Sequence, residues 1–165
     1  MKKLLVLLVT LFIVLVNSQG QDINRNAFHF EVGGQCGLYS FNYERTYSKN
    51  LIGKIGVSLF RNEFVMVPIM FGKYFGSGTH HFEISAGAIY VNREAIIDYD
   101  MQQTARRNMV WASAFVGYRL QNPANKFVFR LGFTPGYSLY IEDPYSGDLS
   151  GFEPWAGMSF GYRFK

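Results

Sequence analysis

The chain has 165 residues, room for one domain once a leader is set aside, with 16 basic and 12 acidic side chains. Lys2 and Lys3 belong to that leader, so the remainder carries 14 bases against 12 acids, a net charge of +2, and no Lys/Arg run follows Lys3. That balance argues against nucleic-acid binding. Beyond the leader no apolar run approaches the roughly eighteen residues of a membrane helix, although 48% of the chain is hydrophobic.

Residues 1–20 read as an export signal. Lys2 and Lys3 supply the positive region, Leu4 to Val16 an apolar core broken only by Thr10, and Ser18 and Gly20 the small residues at −3 and −1 before Gln21. As a helix that core would span roughly 20 Å, short of the roughly 30 Å of bilayer hydrocarbon, which favours cleavage over anchoring. No cysteine marks a lipoprotein boundary, and the single Cys36 has neither a disulfide partner nor a CxxC mate for a metal.

Residues 21–165 form one domain of eight alternating segments. The first (27–34) sets Phe28, Phe30 and Val32 against His29, Glu31 and Gly33. The second (38–47) sets Tyr39, Phe41 and Tyr43 against Ser40, Asn42 and Glu44. The third (51–60) opposes Ile55, Val57 and Leu59 to Lys54, Gly56 and Ser58. The fourth (64–75) is apolar on both faces around Val65 to Met70, which leaves its phase open. In the fifth (80–91) Phe82, Ile84, Ala86, Ala88 and Tyr90 oppose His81, Glu83, Ser85 and Gly87. In the sixth (109–120) Val110, Ala112, Ala114, Val116, Tyr118 and Leu120 oppose Ser113, Gly117 and Arg119. The seventh (127–136) opposes Phe127, Phe129, Leu131 and Phe133 to Arg130, Gly132 and Thr134. The last, 155–164, opposes Ala156, Met158, Phe160, Tyr162 and Phe164 to Gly157, Ser159, Gly161 and Arg163. No segment carries a sustained helical period.

Connections 48–50, 76–79 and 121–126 are short turns, whereas 92–108 and 138–154 are long. The long ones follow odd-numbered strands only, so they fall at one end of an up-and-down barrel. About ten residues of alternation per segment suit a tilted strand crossing a bilayer. The predicted fold is therefore all-β: an eight-stranded antiparallel up-and-down transmembrane β-barrel after a cleaved signal peptide.

The signal, the eight strands and the terminal Gly161-Tyr-Arg-Phe164 resemble small outer-membrane barrels of the OmpX and OmpA-transmembrane-domain type. Glu31-Val-Gly-Gly34, Leu38 to Arg45 and Val67-Pro68 also look like a small bacterial outer-membrane barrel family. The resemblance implies location in the bacterial outer membrane, outer-membrane lipid as surroundings, and barrel-assembly machinery engaging the C-terminal strand. It calls for no cofactor.

An eight-stranded interior is just wide enough for side chains to fill it. The predicted lumen network is Glu31, Glu44, Lys54, Glu83, Arg119, Arg130 and Arg163, given room by glycines and serines. Tyr39, Phe41, Tyr90, Tyr118, Phe160, Tyr162 and Phe164 are the predicted lipid-facing or girdle aromatics. A secreted lipocalin-type barrel would invert both sets. It fits less well, because the polar faces are rich in Gly and Ser and sparse in Lys and Glu.

No catalytic or metal site is assigned. His80 and His81 point to opposite faces of a strand, and His29 points inward beside Glu31. No histidine lies in either long loop, which disfavours a lipid A-modifying enzyme with a serine–histidine–acid set. Glu142, Asp143, Asp148 and Glu153 match no EF-hand spacing. Arg93, Arg106 and Arg107 are candidates for lipopolysaccharide phosphates at the external rim. The functional expectation is a non-enzymatic envelope or surface-interaction barrel acting through loops 92–108 and 138–154. The main alternative is a narrow OmpW-like conduit for hydrophobic molecules, with Phe60, Trp111 and Phe115 as its apolar cue.

Overall fold

A computed structural model describes residues 25–60, 64–98, 103–122, 126–141 and 151–165. The predicted signal and its cleavage point lie outside these described residues. Eight strands follow in chain order: β1 (Asn26–Gly33), β2 (Tyr39–Thr46), β3 (Leu51–Phe60), β4 (Phe64–Phe75), β5 (His80–Asp98), β6 (Gln103–Gln121), β7 (Phe127–Ile141) and β8 (Phe152–Phe164). Each pairs antiparallel with its neighbour, and β1 closes on β8, giving a barrel with no free edge. At the closing seam Asn26 stands opposite Phe164 and Gly33 opposite Gly157. Both ends of the barrel-forming chain thus meet at one rim, called here the terminal end.

The phase of β4, open in the sequence, is fixed by its neighbours. Ile69 pairs with Ile55 and Ala88, which are both exposed, so Ile69 faces outward while Pro68 and Met70 are buried. Outward apolar residues on β6 run from Val110 to Leu120. That is about ten residues, roughly 33 Å of strand, or about 25 Å of height at the usual barrel tilt.

The expected loop 92–108 is corrected by the structure. β5 and β6 stay paired from Asn92↔Asn108 to Asp98↔Gln103, with one irregularity at Ile96/Asp98. Period-2 patterning is a signature of a strand whose two faces differ. Past Tyr90 polar residues fall on both faces, so the sequence signal fades while the ladder continues. Tyr90 therefore marks the edge of the apolar band and not the strand's end. Arg106 and Arg107, read as loop residues, belong to β6, where the register sets them opposite Glu94 and Arg93.

The loop expected at 138–154 is likewise shortened. β7 runs to Ile141 and β8 begins at Phe152, while 142–150, with Glu142, Asp143 and Asp148, lie outside the described residues. Pro135-Gly136 looks like a strand stop, but Pro135 pairs with Pro154, so two residues without an N–H donor share one rung. A register shift at Val110/Trp111 then accommodates an extra residue of β7.

One connection is not a surface turn. Between β1 and β2, residues Gly34–Cys36 form a short 3₁₀ turn that is buried and approaches β4, β6, β7 and β8. It folds inward across the barrel mouth. Gly33, Gly34 and Gly37 bracket it with φ of 69°, 72° and 74°, a left-handed conformation open to glycine. A Cβ on Gly33 would also sit 2.5 Å from the Ala156 carbonyl oxygen.

Candidate functional site: the barrel lumen

Alternation delivers the polar face of every strand but β4 to the interior. Glu31, Glu44, Lys54, Glu83, Arg119, Arg130 and Arg163 are all buried, with Glu83 and Arg119 at 0% exposure. Six of them are joined into one array that spans the barrel. Glu44 on β2 receives both Nη atoms of Arg119 on β6, at 2.6 and 2.9 Å. Arg119 also reaches Glu83 Oε2 at 3.1 Å. Glu83 accepts Nε and Nη2 of Arg130 at 3.0 and 2.5 Å. Arg130 Nη1 lies 3.8 Å from Glu31, which accepts Lys54 Nζ at 3.2 Å. His29 Nε2 ends the chain 3.6 Å from Glu44.

Three carboxylates thus balance three cations, and the forked geometry satisfies most donors at once. Aromatic faces close the remaining sides. The Arg119 guanidinium lies 4.9 Å from the Tyr74 ring centre and Arg130 lies 4.4 Å from that of Phe115. Phe115 in turn covers the Gly117–Gly132 pair, where a Cβ on either glycine would meet its ring at 2.7 Å. Those glycines leave the space that the ring fills. Arg163 faces inward nearer the terminal end, and its Nη2 donates to the Asn122 carbonyl at 3.3 Å.

Above the ion array sits the inward turn, tied to it by the Gln35 N–H donating to Glu31 Oε1 at 3.1 Å. Burial pushes the neighbouring Cys36 thiol up to about 12, helped by the Glu31 charge. Cys36 is therefore expected to resist iodoacetamide at pH 8 in the folded barrel and to react readily after denaturation. Mass spectrometry of the two states checks this, and equal labelling would show the turn swung outward.

The aromatic set faces the other way. Phe28 (62%), Phe41 (58%) and Tyr162 (57%) are largely exposed, and Tyr90, Tyr118 and Phe160 also stand outward. Tyr39 and Phe164 are half-buried by neighbours on the same outer surface: Phe164 stacks on Phe28 at 5.1 Å, and Tyr39 packs 6.3 Å from Phe41. The Tyr39 hydroxyl donates to the Leu59 carbonyl, and Tyr90 to Asn108 Oδ1 at 2.7 Å. The inverted, lipocalin-like arrangement is excluded by this facing, since these aromatics stand on the outer surface and not on the lumen wall.

The conduit's apolar cue is divided. Phe115 is buried, but it serves the ion array. Trp111 lines a chamber at the end far from the termini, and the Phe60 side chain lies outside the described residues. His80 Nδ1 meets the Tyr118 hydroxyl at 2.6 Å and His81 Nε2 the Gly78 carbonyl at 3.1 Å, both at the terminal end. Among the described residues no cluster of His, Cys, Asp or Glu has metal-binding geometry. Sequence reasoning missed the inward turn and the chamber it borders. The Gly33-Gly34 and Gly37 spacing was the available signal.

No protein-family model matches the sequence, and no curated protein matches it. Among solved structures, the chain is similar to the N-terminal β-barrel domain of OprF from Pseudomonas aeruginosa. The TM-score is 0.62 at 15% identity, over 86% of this chain and 100% of that one. The two share a fold. Ail, the attachment invasion locus protein of Yersinia pestis, aligns with a TM-score of 0.49 at 15% identity, over 85% of this chain and 94% of that one.

Proposed function

We propose that this protein is an integral outer-membrane β-barrel without enzymatic activity, which presents its far end for interactions at the cell surface. The observation that carries this reading is the inverted polarity of the barrel. Large apolar side chains cover the outside in a band about 25 Å tall, while paired ions fill the inside. In water such a surface would far exceed the apolar patches that soluble monomers carry. In hydrocarbon it is the stable arrangement, because the closed barrel satisfies its own backbone.

In this reading the terminal end, with its tight turns, faces the periplasm, and β8 supplies the strand engaged by the assembly machinery. β5 continues for roughly 26 Å beyond Tyr90, lifting Arg93, Arg106 and Arg107 out of the apolar band toward lipopolysaccharide or another external ligand. Membrane fractionation combined with a heat-modifiability gel tests the reading. The protein is expected in the outer-membrane fraction, migrating faster unheated than boiled; a detergent-free soluble mature chain would overturn it.

The ion array and the inward turn obstruct the lumen in series, which weighs against a conduit. Purified protein in planar bilayers is expected to give no large stable conductance. Recordings of stable openings would reverse that conclusion.

A further inference from the structure

The far-end chamber has a chemistry that neither envelope anchoring nor surface display uses. Its volume is about 410 Å³, within the range of small-molecule sites. Ile89, Val91 and Met109 form a buried apolar cluster on one wall, with Met66 and Trp111 packed against it. Gln35, carried in by the inward turn, and Thr134 on β7 also line the chamber. Arg93, Glu153 and Trp155 line it as well, Arg93 and Trp155 being exposed.

Three of these lining residues hold buried polar atoms with no hydrogen-bond partner among the described residues: Gln35 Nε2 and Oε1, Thr134 Oγ1 and Trp111 Nε1. Gln35 is 5% and Thr134 1% exposed. Each such atom is costly to leave unsatisfied away from water. The charged groups of the ion array are largely spent on one another, and these four atoms, all on uncharged groups, are the buried hydrogen-bonding groups that the chamber wall holds unused. They offer donors from the amide, the indole and the hydroxyl, and acceptors from the amide and the hydroxyl. That combination suits one uncharged head, such as a carboxamide, on a compact apolar body seated against the Met66–Met109 wall.

We propose that the chamber binds a small uncharged amphiphile, held by apolar contact with Met66, Ile89, Val91 and Met109 and by head-group hydrogen bonds to Gln35 and Thr134. The inward turn and the ion array lie beneath the chamber, on its side toward the terminal end.

The chain's only two tryptophans, Trp111 and Trp155, both line this chamber, so intrinsic fluorescence reads it selectively. The experiment titrates folded protein in detergent with 6-bromo-2-naphthamide, a neutral two-ring amide whose bromine quenches at short range. The naphthoate of the same skeleton is the charged control. Saturable quenching by the amide is expected, with binding at least about tenfold weaker for the naphthoate, because a buried unpaired carboxylate is heavily penalised. Thr134→Val keeps the side-chain shape and removes the hydroxyl, so it should weaken the amide about three- to tenfold. Gln35→Leu should do the same, with a heat-modifiability gel confirming that each variant is folded; should Gln35→Leu fail to fold, Thr134→Val decides alone. Non-saturating quenching, or quenching equal for amide, naphthoate and Thr134→Val, would mean simple partition into the micelle and would overturn the proposal. The membrane reading would be untouched by that result.

Discussion

Replacing Glu83 by alanine is expected to destabilise the barrel by about 3–5 kcal/mol, the cost of leaving buried charge without its partner. Glu83 is fully buried and is shared by two guanidinium groups, with Arg130 on both of its oxygens and Arg119 on one. Its removal leaves two carboxylates facing three cations in the array. Unfolding in guanidinium, followed by the heat-modifiable gel shift, measures the loss. The double variant Glu83→Leu/Arg130→Met restores the balance, because Arg119 keeps Glu44 and Lys54 keeps Glu31. It is expected to regain at least half of the lost stability. A double variant weaker than Glu83→Ala would show that the array contributes shape and specific bonding beyond the balance of charge.

Ile69→Arg is expected to cost about 2–4 kcal/mol when the barrel is folded in phospholipid vesicles. Ile69 is 46% exposed and sits between Ile55 and Ala88 in the middle of the apolar band. In water an outward arginine there would be nearly neutral, as most exposed substitutions are. Only a hydrocarbon surrounding makes it expensive. Urea titrations in vesicles, run beside Lys73→Arg near the terminal end, separate the two cases. Lys73 is already charged and exposed, so its replacement should change little. Equal, small effects at both positions would contradict a lipid-facing surface.

The barrel and the contents of its lumen were largely legible in the sequence, and the reason is local. Wherever a strand divides two different environments, successive residues must alternate, and Glu83-Ile84-Ser85-Ala86 carries that division letter by letter. The same rule explains the failures. Past Tyr90 polar residues fall at successive positions, Asn92, Arg93 and Glu94, and so on both faces of the strand, so the continued pairing with β6 left no periodic trace. In β4, Met70 and Ile69 are both apolar although one is buried and the other exposed, and only pairing to β3 and β5 resolves them. The partners within the ion array were not readable either. Glu44 and Arg119 are 75 positions apart and meet across the lumen, a distance set by barrel closure and not by any nearby residue. The inward turn was hidden for a related reason: Gly33-Gly34 and Gly37 permit a left-handed path, but permission is not direction.

The equal numbers of acids and bases in the six-residue array bear on assembly. Arg119 and Glu44 meet across the lumen, so their two-pronged bond forms only as the sheet rolls up, whereas Arg119 can hold Glu83 from the adjacent strand before that. An open sheet would leave that bond unmade; in the shut cylinder the three acids of the array match its three bases. Closure of the β1–β8 seam is thereby coupled to completion of the ion array inside it.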